Sequence, residues 1–221
     1  LEFLMAVKIY ENFIEESDRL YFLNEIENNF SKFSLNSMGP NRQYLKIDGT
    51  DLFKETHKKY FEKISNILKI KNIEIDPLLG ILYSVIKPGG FIHKHLDSQS
   101  IYQSGNFVNY RFNLLLQRGD ESGYDPIING IKYPVKQGQA WSFPASLYEH
   151  ETEIISGLKN RIVLQYGFLL NKIEYENLFL KEDELILTKK MKEYYAKNTR
   201  NGIARSREDF FSQRAEILPR I

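Results

Sequence analysis

The chain has 221 residues, a formal net charge of +1 at pH 7 and no cysteine. This length suits one domain with a substantial core, or one domain plus appendages. The balanced charge argues against nucleic-acid or membrane-surface binding, and without cysteine any metal must bind His, Asp or Glu. No apolar run approaches the roughly 20 residues of a membrane span and no signal peptide opens the chain, so we expect a cytoplasmic protein.

The N-terminal part is predicted to be mainly helical. Residues 1–5 resemble an expression scar and are left out of the predicted fold. A short strand over residues 6–13 and another over 43–47 alternate with two helices, over 15–33 and 51–70, whose apolar residues recur at helical spacing. Asp51 is expected to be the cap of the second helix or an acid in its first turn. His57 on this helix is expected to be a core or surface histidine, because no other residue of metal-ligand type stands beside it.

From Ile73 onwards the pattern changes to short strands separated by turns. The predicted strands cover residues 79–86, 91–96, 106–117, 140–143, 151–156 and 161–169. Asn129-Gly130 predicts a hairpin with a type I′ turn. Successive strands with short connections favour a mainly β fold, a double-stranded β-helix (a jelly roll, as in cupins), over residues 6–170, with the N-terminal helices packed on one sheet.

Residues 171–221 are predicted to form a helical C-terminal extension that is locally basic. We expect its helices to pack on the sheet or to join two copies in a homodimer. Docking to an acidic partner or a nucleic acid is the alternative, although no aromatic residues alternate with the basic ones as they do in single-strand binding grooves.

The candidate site centres on His95 and Asp97. Residues two apart on a strand point to the same face, so an imidazole and a carboxylate share one space. His150 can supply a second imidazole after folding. Two His and one carboxylate with open positions is the ligand set of non-haem Fe(II) oxygenases. Arg161 lies eleven residues later in a predicted buried strand, where its guanidinium could bind a dicarboxylate in a bidentate manner.

His95-x-Asp97, His150 and Arg161, in this order and spacing, resemble the 2-oxoglutarate/Fe(II)-dependent oxygenases over residues 79–170. The resemblance implies Fe(II) held by His95, Asp97 and His150, with 2-oxoglutarate and O2 as co-substrates and Arg161 pairing with the far carboxylate of 2-oxoglutarate. Succinate and CO2 would be released. Halogenases of this family lack the carboxylate ligand, so the presence of Asp97 implies hydroxylation of an aliphatic C–H bond.

Narrower resemblances suggest roles for further residues. Tyr83 is similar to a tyrosine that contacts 2-oxoglutarate in prolyl-hydroxylase-like members. Val163 stands where many members have Ser or Thr, so another hydroxyl group must assist Arg161. His93 is expected to lie behind the metal ligands or to face the substrate.

The stretch from Tyr110 to Asn113 resembles a strand of aspartyl/asparaginyl β-hydroxylases and bacterial proline hydroxylases. It implies that Arg111 binds a carboxylate of co-substrate or substrate, although Asn113 stands where that subgroup tends to carry His. Trp141 lies in a second stretch, before His150, that is similar to the segment preceding the distal His in the same subgroup. The substrate implied is an amino-acid side chain, free, in a peptide or in a natural-product intermediate.

Other readings stay open. His93-x-His95 is similar to a cupin motif, which would bind a metal without 2-oxoglutarate, but the required Glu is missing and Ser146 replaces a Gly of its second part. A non-catalytic jelly-roll binding protein is a second alternative, opposed by the intact set of His95, Asp97, His150 and Arg161.

Asp97, at the end of a predicted strand before a polar loop, is expected to lie near the surface.

Overall fold

The computed structural model describes residues 7–35, 38–70, 73–97 and 106–179. The segment from 1 to 5, the loop after Asp97 and the extension beyond Phe179 lie outside the described residues, so the predictions made for them stay predictions. The chain divides into two units, residues 1–178 and 179–221, and nearly all described residues belong to the first.

The helices of the N-terminal part match the predicted pattern, with shorter bounds. Helix α1 covers Glu16–Asn28 and is followed by a 3-10 turn at Phe30–Lys32; α2 covers Glu55–Leu68. The prediction that Asp51 caps α2 is wrong. Residues 50–53 form a turn in which the Phe53 amide donates to the Thr50 carbonyl, and the helix starts after Lys54, whose amide donates to His57 Nδ1 at 3.2 Å. A third helix, α3, covers Lys172–Phe179.

The strands pair antiparallel in two sheets. In chain order they are β1 Lys8–Tyr10, β2 Ser34–Leu35, β3 Arg42–Lys46, β4 Glu74–Ile75, β5 Ile81–Ile86, β6 Phe107–Gln117, β7 Pro126–Ile128, β8 Ile131–Lys132, β9 Ala140–Pro144, β10 His150–Thr152 and β11 Arg161–Asn171. Among the described residues the larger sheet has the order β1-β9-β6-β11-β5-β3-β2, with β4 also on β11, and the smaller has the order β10-β7-β8. The prediction of a mainly β fold is confirmed.

Successive residues of each strand point to opposite faces of the larger sheet. Tyr83, Phe112 and Tyr166 point to the face that carries α1 and α2, where Tyr83 contacts His57 and the Tyr166 hydroxyl donates to the His57 carbonyl. Burying an aromatic side chain of this kind contributes about 1.5 to 3 kcal/mol. The opposite face, with Val163 and Leu115, packs against Ile128 of the smaller sheet. The site lies on this second face.

The predicted hairpin is confirmed. β7 and β8 pair directly, and Asn129 and Gly130 between them both have positive φ, 51° and 78°, as a type I′ turn requires. Within the part of the chain that the structure describes, no helix has the length and apolar character needed to cross a membrane.

The predicted strand over residues 91–96 is not formed as a regular strand. Its segment runs beside β10 and exchanges hydrogen bonds with it at Ile92 and at His95, which forms an isolated antiparallel bridge with His150. Two residues lie between Ile92 and His95, whereas only one lies between their partners His150 and Thr152. The extra residue breaks the ladder in the manner of a bulge.

Candidate active site

The two sheets bring His95, Asp97 and His150 together. The bridge between His95 and His150 sets their imidazoles side by side, with ring centroids 4.1 Å apart. Asp97 is fixed by its amide, which donates to the Ala145 carbonyl at 3.1 Å. One potential ligand atom from each of the three residues lies within 4.8 Å of the others. The expected grouping of these three side chains is therefore present, although the segment of His95 and Asp97 is irregular.

The spacing of the three groups suits one metal ion. Asp97 Oδ1 lies 3.7 Å from His95 Nε2 and 4.0 Å from His150 Nε2. Two ligand atoms, each about 2.1 Å from one ion, lie at most about 4.2 Å apart. Both distances meet this limit, so the carboxylate of Asp97 can share a cation with each of the two imidazoles.

Backbone carbonyls select the tautomer of both imidazoles. His95 Nδ1 lies 2.7 Å from the His93 carbonyl, and His150 Nδ1 lies 3.1 Å from the Tyr148 carbonyl. A carbonyl only accepts, so each Nδ1 carries the proton and each Nε2 presents a lone pair towards Asp97. Burial lowers the pKa of His95, and it lowers the pKa of His150 to about 4 against the opposing pull of Asp97. Both rings are therefore neutral at pH 7, as metal ligands must be.

Asp97 is buried, so the expectation that it lies near the surface is wrong. Its Oδ2 accepts a hydrogen bond from Arg111 Nε at 3.1 Å. Burial opposes ionisation, but the positive Arg111 and the two imidazoles outweigh it, and the pKa of Asp97 lies below its ordinary value. Arg111 Nε is shared with Asn109 Oδ1, also at 3.1 Å. Arg111 thus orients the carboxylate that faces the two histidines.

Arg161 lies where a strand of the larger sheet begins, and only 3% of it is exposed. Its Nε donates to the Tyr124 carbonyl at 2.8 Å, and its guanidinium carbon lies 5.5 Å from the centre of the Trp141 ring. Burial and the nearby positive charge of Arg42 lower the pKa of Arg161 to about 10, so it stays charged at pH 7.

A pocket of about 330 Å³ connects the three-residue cluster with Arg161. Trp141 and Asn113, two residues singled out in the sequence, face each other across neighbouring strands at its wall. Trp141 Nε1 and Asn113 Nδ2 are buried hydrogen-bond donors without an acceptor among the described residues. A buried unpaired donor costs about 1 to 3 kcal/mol. The wall is therefore suited to a ligand that brings oxygen acceptors.

Sequence reasoning missed three residues on β3. Arg42, Tyr44 and Lys46 alternate along this strand and all line the pocket. Arg42 is 8% exposed, and its Nε donates to Ser84 Oγ at 3.2 Å. Burial, followed by the charge of Arg111, lowers its pKa to about 10. A run of polar residues at every second position could have flagged this strand.

Tyr83 does not reach the pocket, so the role that the resemblance implies for it is wrong. It is one residue out of phase with Leu82, a pocket residue of the same strand, and points to the helix face of the sheet. Its hydroxyl donates to Glu25 Oε2 at 2.5 Å and lies 2.7 Å from His57 Nε2. Tyr83 joins α1, α2 and the sheet. Of the two positions expected for His57, core or surface, the structure shows the core, since His57 is fully buried.

His93 is exposed, and its ring packs edge-on against Phe91 with centroids 4.7 Å apart. Its side chain is not among the residues that line the pocket, whereas its backbone carbonyl accepts the hydrogen bond of His95 Nδ1 and so lies behind the ligands, one of the two places expected for His93. The cluster of potential ligands consists of His95, Asp97 and His150 and does not include His93. This geometry does not favour the cupin alternative.

Solved structures with a similar fold include prolyl hydroxylases. A prolyl-4-hydroxylase of Pseudomonas putida is 13% identical, with a TM-score of 0.53, over 76% of this chain and 94% of that chain. The viral collagen prolyl hydroxylase of Paramecium bursaria Chlorella virus-1, solved with 2-oxoglutarate, is 13% identical, with a TM-score of 0.53, over 75% and 96%.

A prolyl hydroxylase of Trichoplax adhaerens, solved with a peptide fragment of the hypoxia-inducible factor oxygen degradation domain, is 14% identical. Its TM-score is 0.59 over 77% of this chain and 86% of that chain. No protein-family model matches the sequence, and no curated protein is a significant match. At these identities the likeness establishes the fold.

Proposed function

We propose that this chain is an Fe(II)- and 2-oxoglutarate-dependent dioxygenase that hydroxylates an aliphatic C–H bond and releases succinate and CO2. The observation that carries the proposal is the clustering of His95, Asp97 and His150 in one pocket with the buried Arg161. In this proposal the two sheets between residues 6 and 170 form the jelly roll of these enzymes, in which the ligands come from different strands.

The proposed metal ligands are His95 Nε2, His150 Nε2 and one oxygen of Asp97. Two neutral imidazoles and one carboxylate suit Fe(II) and leave coordination positions free for other molecules. When bound, Fe(II) supplies the redox chemistry by which O2 and 2-oxoglutarate oxidise the substrate. The protein fixes the ligands through the His93 and Tyr148 carbonyls and through Arg111, which are the outer contacts that a metal site needs.

The proposed partner of the far 2-oxoglutarate carboxylate is Arg161. The Tyr124 carbonyl holds its Nε, so its two terminal nitrogens form the fork that pairs with a carboxylate. Tyr44 and Thr152 line the same pocket and can supply the hydroxyl group that Val163 cannot. The unpaired donors of Asn113 and Trp141 favour a co-substrate rich in oxygen acceptors.

The substrate that we propose is an amino-acid side chain, presented by a small molecule or a peptide. The support is the fold shared with prolyl hydroxylases, one of which was solved with a bound peptide. In the expected reaction Arg111 keeps the Asp97 carboxylate oriented and the apolar Ile128 and Phe143 help to keep water from the pocket. Arg111 then acts by positioning Asp97.

The test is metal-dependent turnover in two matched histidine variants. His150→Ala should abolish Fe(II) binding and succinate release, because it removes one of three ligands. His93→Ala removes an exposed imidazole of the same segment and should leave both intact. Fe(II) content and succinate formation would be measured on protein of equal thermal stability. Loss of the metal in His93→Ala with its retention in His150→Ala would contradict the proposed ligand set.

A further inference from the structure

The pocket holds more buried positive charge than the proposed co-substrate can neutralise. Its buried charged side chains, among the described residues, are Arg42, Arg111, Arg161 and the single carboxylate Asp97. Lys46 and Glu151, which also line it, are partly exposed. Fe(II) and the 2-oxoglutarate dianion cancel each other's charge, so loading the site leaves this excess unchanged. A buried cation without a partner is costly.

Each guanidinium is held through Nε. Arg161 is tied to the Tyr124 carbonyl, Arg111 to Asp97 and Asn109, and Arg42 to Ser84 Oγ. Arg111 already has an anionic partner. With Arg161 assigned to 2-oxoglutarate, Arg42 is the one whose terminal nitrogens lack an acceptor both among the described residues and in the proposed co-substrate.

Arg42 and Arg161 come from two different strands, β3 and β11, which lie on either side of β5. Their Cα atoms lie opposite the same residue, Ile86, from the two strands that flank it. Two strand spacings place these backbones roughly 10 Å apart on one face. Arg42 lines the same pocket as His95, Asp97 and His150. A substrate bound in this pocket beside the proposed metal ligands can therefore contact Arg42.

We infer that the organic substrate carries a carboxylate and that Arg42 binds it. This inference rests on the proposed function, whose substrate class it narrows to a small carboxylic acid of amino-acid size. A pocket of about 330 Å³ lies at the small end of ligand sites, with room for 2-oxoglutarate and a compact second molecule. Arg42 acts as a specificity residue, because a buried guanidinium fork rejects a neutral group that leaves it unpaired.

The chain contains its own reporter for the test. Trp141 is the only tryptophan of the sequence and lies at the pocket wall. Its fluorescence would be followed in protein loaded with Mn(II), as a redox-quiet substitute for Fe(II), and saturating 2-oxoglutarate. The probes are the free L-amino acids, their carboxamides, and Asp and Glu capped at both ends so that only the side-chain carboxylate remains.

The expected result is saturable binding of at least one acid. The affinity of its neutral amide should be lower by roughly a hundredfold. Arg42→Gln should weaken the binding of that acid by a similar factor and remove the difference in affinity between acid and amide. The comparison of both ligands on both proteins completes a double-mutant cycle. Arg42→Lys should recover part of the affinity. Free amino acids that bind where capped Asp and Glu do not would assign the α-carboxylate; the reverse would assign an acidic side chain.

The controls separate this inference from the proposed function. Arg118→Gln removes an arginine that does not line the pocket and should behave as wild type. Arg42→Gln should change the dissociation constant of 2-oxoglutarate by less than about threefold, whereas Arg161→Gln should raise it strongly. Equal binding of acids and amides, no binding of any acid, or loss of 2-oxoglutarate affinity in Arg42→Gln would overturn the inference alone. Failure of wild type to bind 2-oxoglutarate would overturn the proposed function with it.

Discussion

Arg161→Gln is the most informative single change, because it separates co-substrate binding from metal binding. In the proposed complex Arg161 and the far carboxylate of 2-oxoglutarate form a buried, bidentate ion pair. Breaking such a pair from one side costs about 3 to 5 kcal/mol, since the remaining charge stays buried without a partner. The dissociation constant of 2-oxoglutarate should therefore rise by roughly a hundredfold to a few thousandfold.

The change should have little effect on the fold. Arg161→Gln loses one hydrogen bond, from Nε to the Tyr124 carbonyl, which is worth about 1 to 3 kcal/mol. It also removes the repulsion from Arg42 that helps to lower the pKa of Arg161. These effects have opposite signs, so the melting temperature should shift by only a few degrees, at about 2 to 4 °C per kcal/mol for a chain of this size.

The assay is calorimetric titration of 2-oxoglutarate into Mn(II)-loaded protein, with Mn(II) affinity measured separately. Mn(II) affinity should stay within about threefold of wild type, because Arg161 contacts none of the proposed ligands. Arg161→Lys keeps the charge without the planar fork and should fall between the two proteins. Unchanged 2-oxoglutarate affinity in Arg161→Gln would refute the assignment of Arg161 and, with it, the main support for the co-substrate.

Further predictions concern three other residues. Burial holds the pKa of His150 at about 4, so the unfolded chain takes up a proton as the pH falls below about 6.5 while the folded metal-free protein does not. The free energy of unfolding should therefore decrease by up to about 3 kcal/mol from pH 7 to pH 4, and His150→Asn should flatten this dependence in urea titrations. Tyr83→Phe should lower the free energy of unfolding by about 1 to 3 kcal/mol, since Glu25 and His57 lose a shared partner. Weaker binding of 2-oxoglutarate in this variant would contradict the position of Tyr83 outside the pocket. Asp97→Asn should keep an acceptor for Arg111 and remain folded yet lose the metal, whereas Asp97→Gly should also be destabilised; metal retention in Asp97→Asn would argue against a ligand role.

The helices, the long strands and the hairpin could be predicted because each depends on local signals. Apolar residues at helical spacing mark α1 and α2, and Asn129-Gly130 fixes a turn that needs two positive φ angles. The grouping of His95, Asp97 and His150 could be predicted from residue type and order. The sequence predicted that His95 and Asp97 lie on a regular strand. In the structure a single bridge to His150 holds His95 instead.

Tyr83 shows why the remaining site could not be predicted from composition or motif. Whether a strand residue faces the pocket or the helices depends on register, and a shift of one residue exchanges the two faces. The pairing of Ile86 with Arg161 places Ile86 and Ser84 on the pocket side, so Tyr83 between them must point to α1 and α2. This pairing joins distant segments, and no local pattern encodes it. A resemblance in sequence position therefore assigned Tyr83 to the wrong face.

Arg42 shows the converse case. Along β3 the polar side chains of Arg42, Tyr44 and Lys46 occupy one face, which in an isolated strand indicates exposure to water. The same alternation arises when the polar face lines a ligand pocket, because both environments accept charged groups. What distinguishes them is the depth of burial: Arg42 is 8% exposed and lies opposite Ile86, as Arg161 does. A polar strand face thus becomes a candidate binding wall only when the neighbouring strand is known. In the proposed complex, the arginines that bind the substrate and the co-substrate would then lie in one row of the sheet.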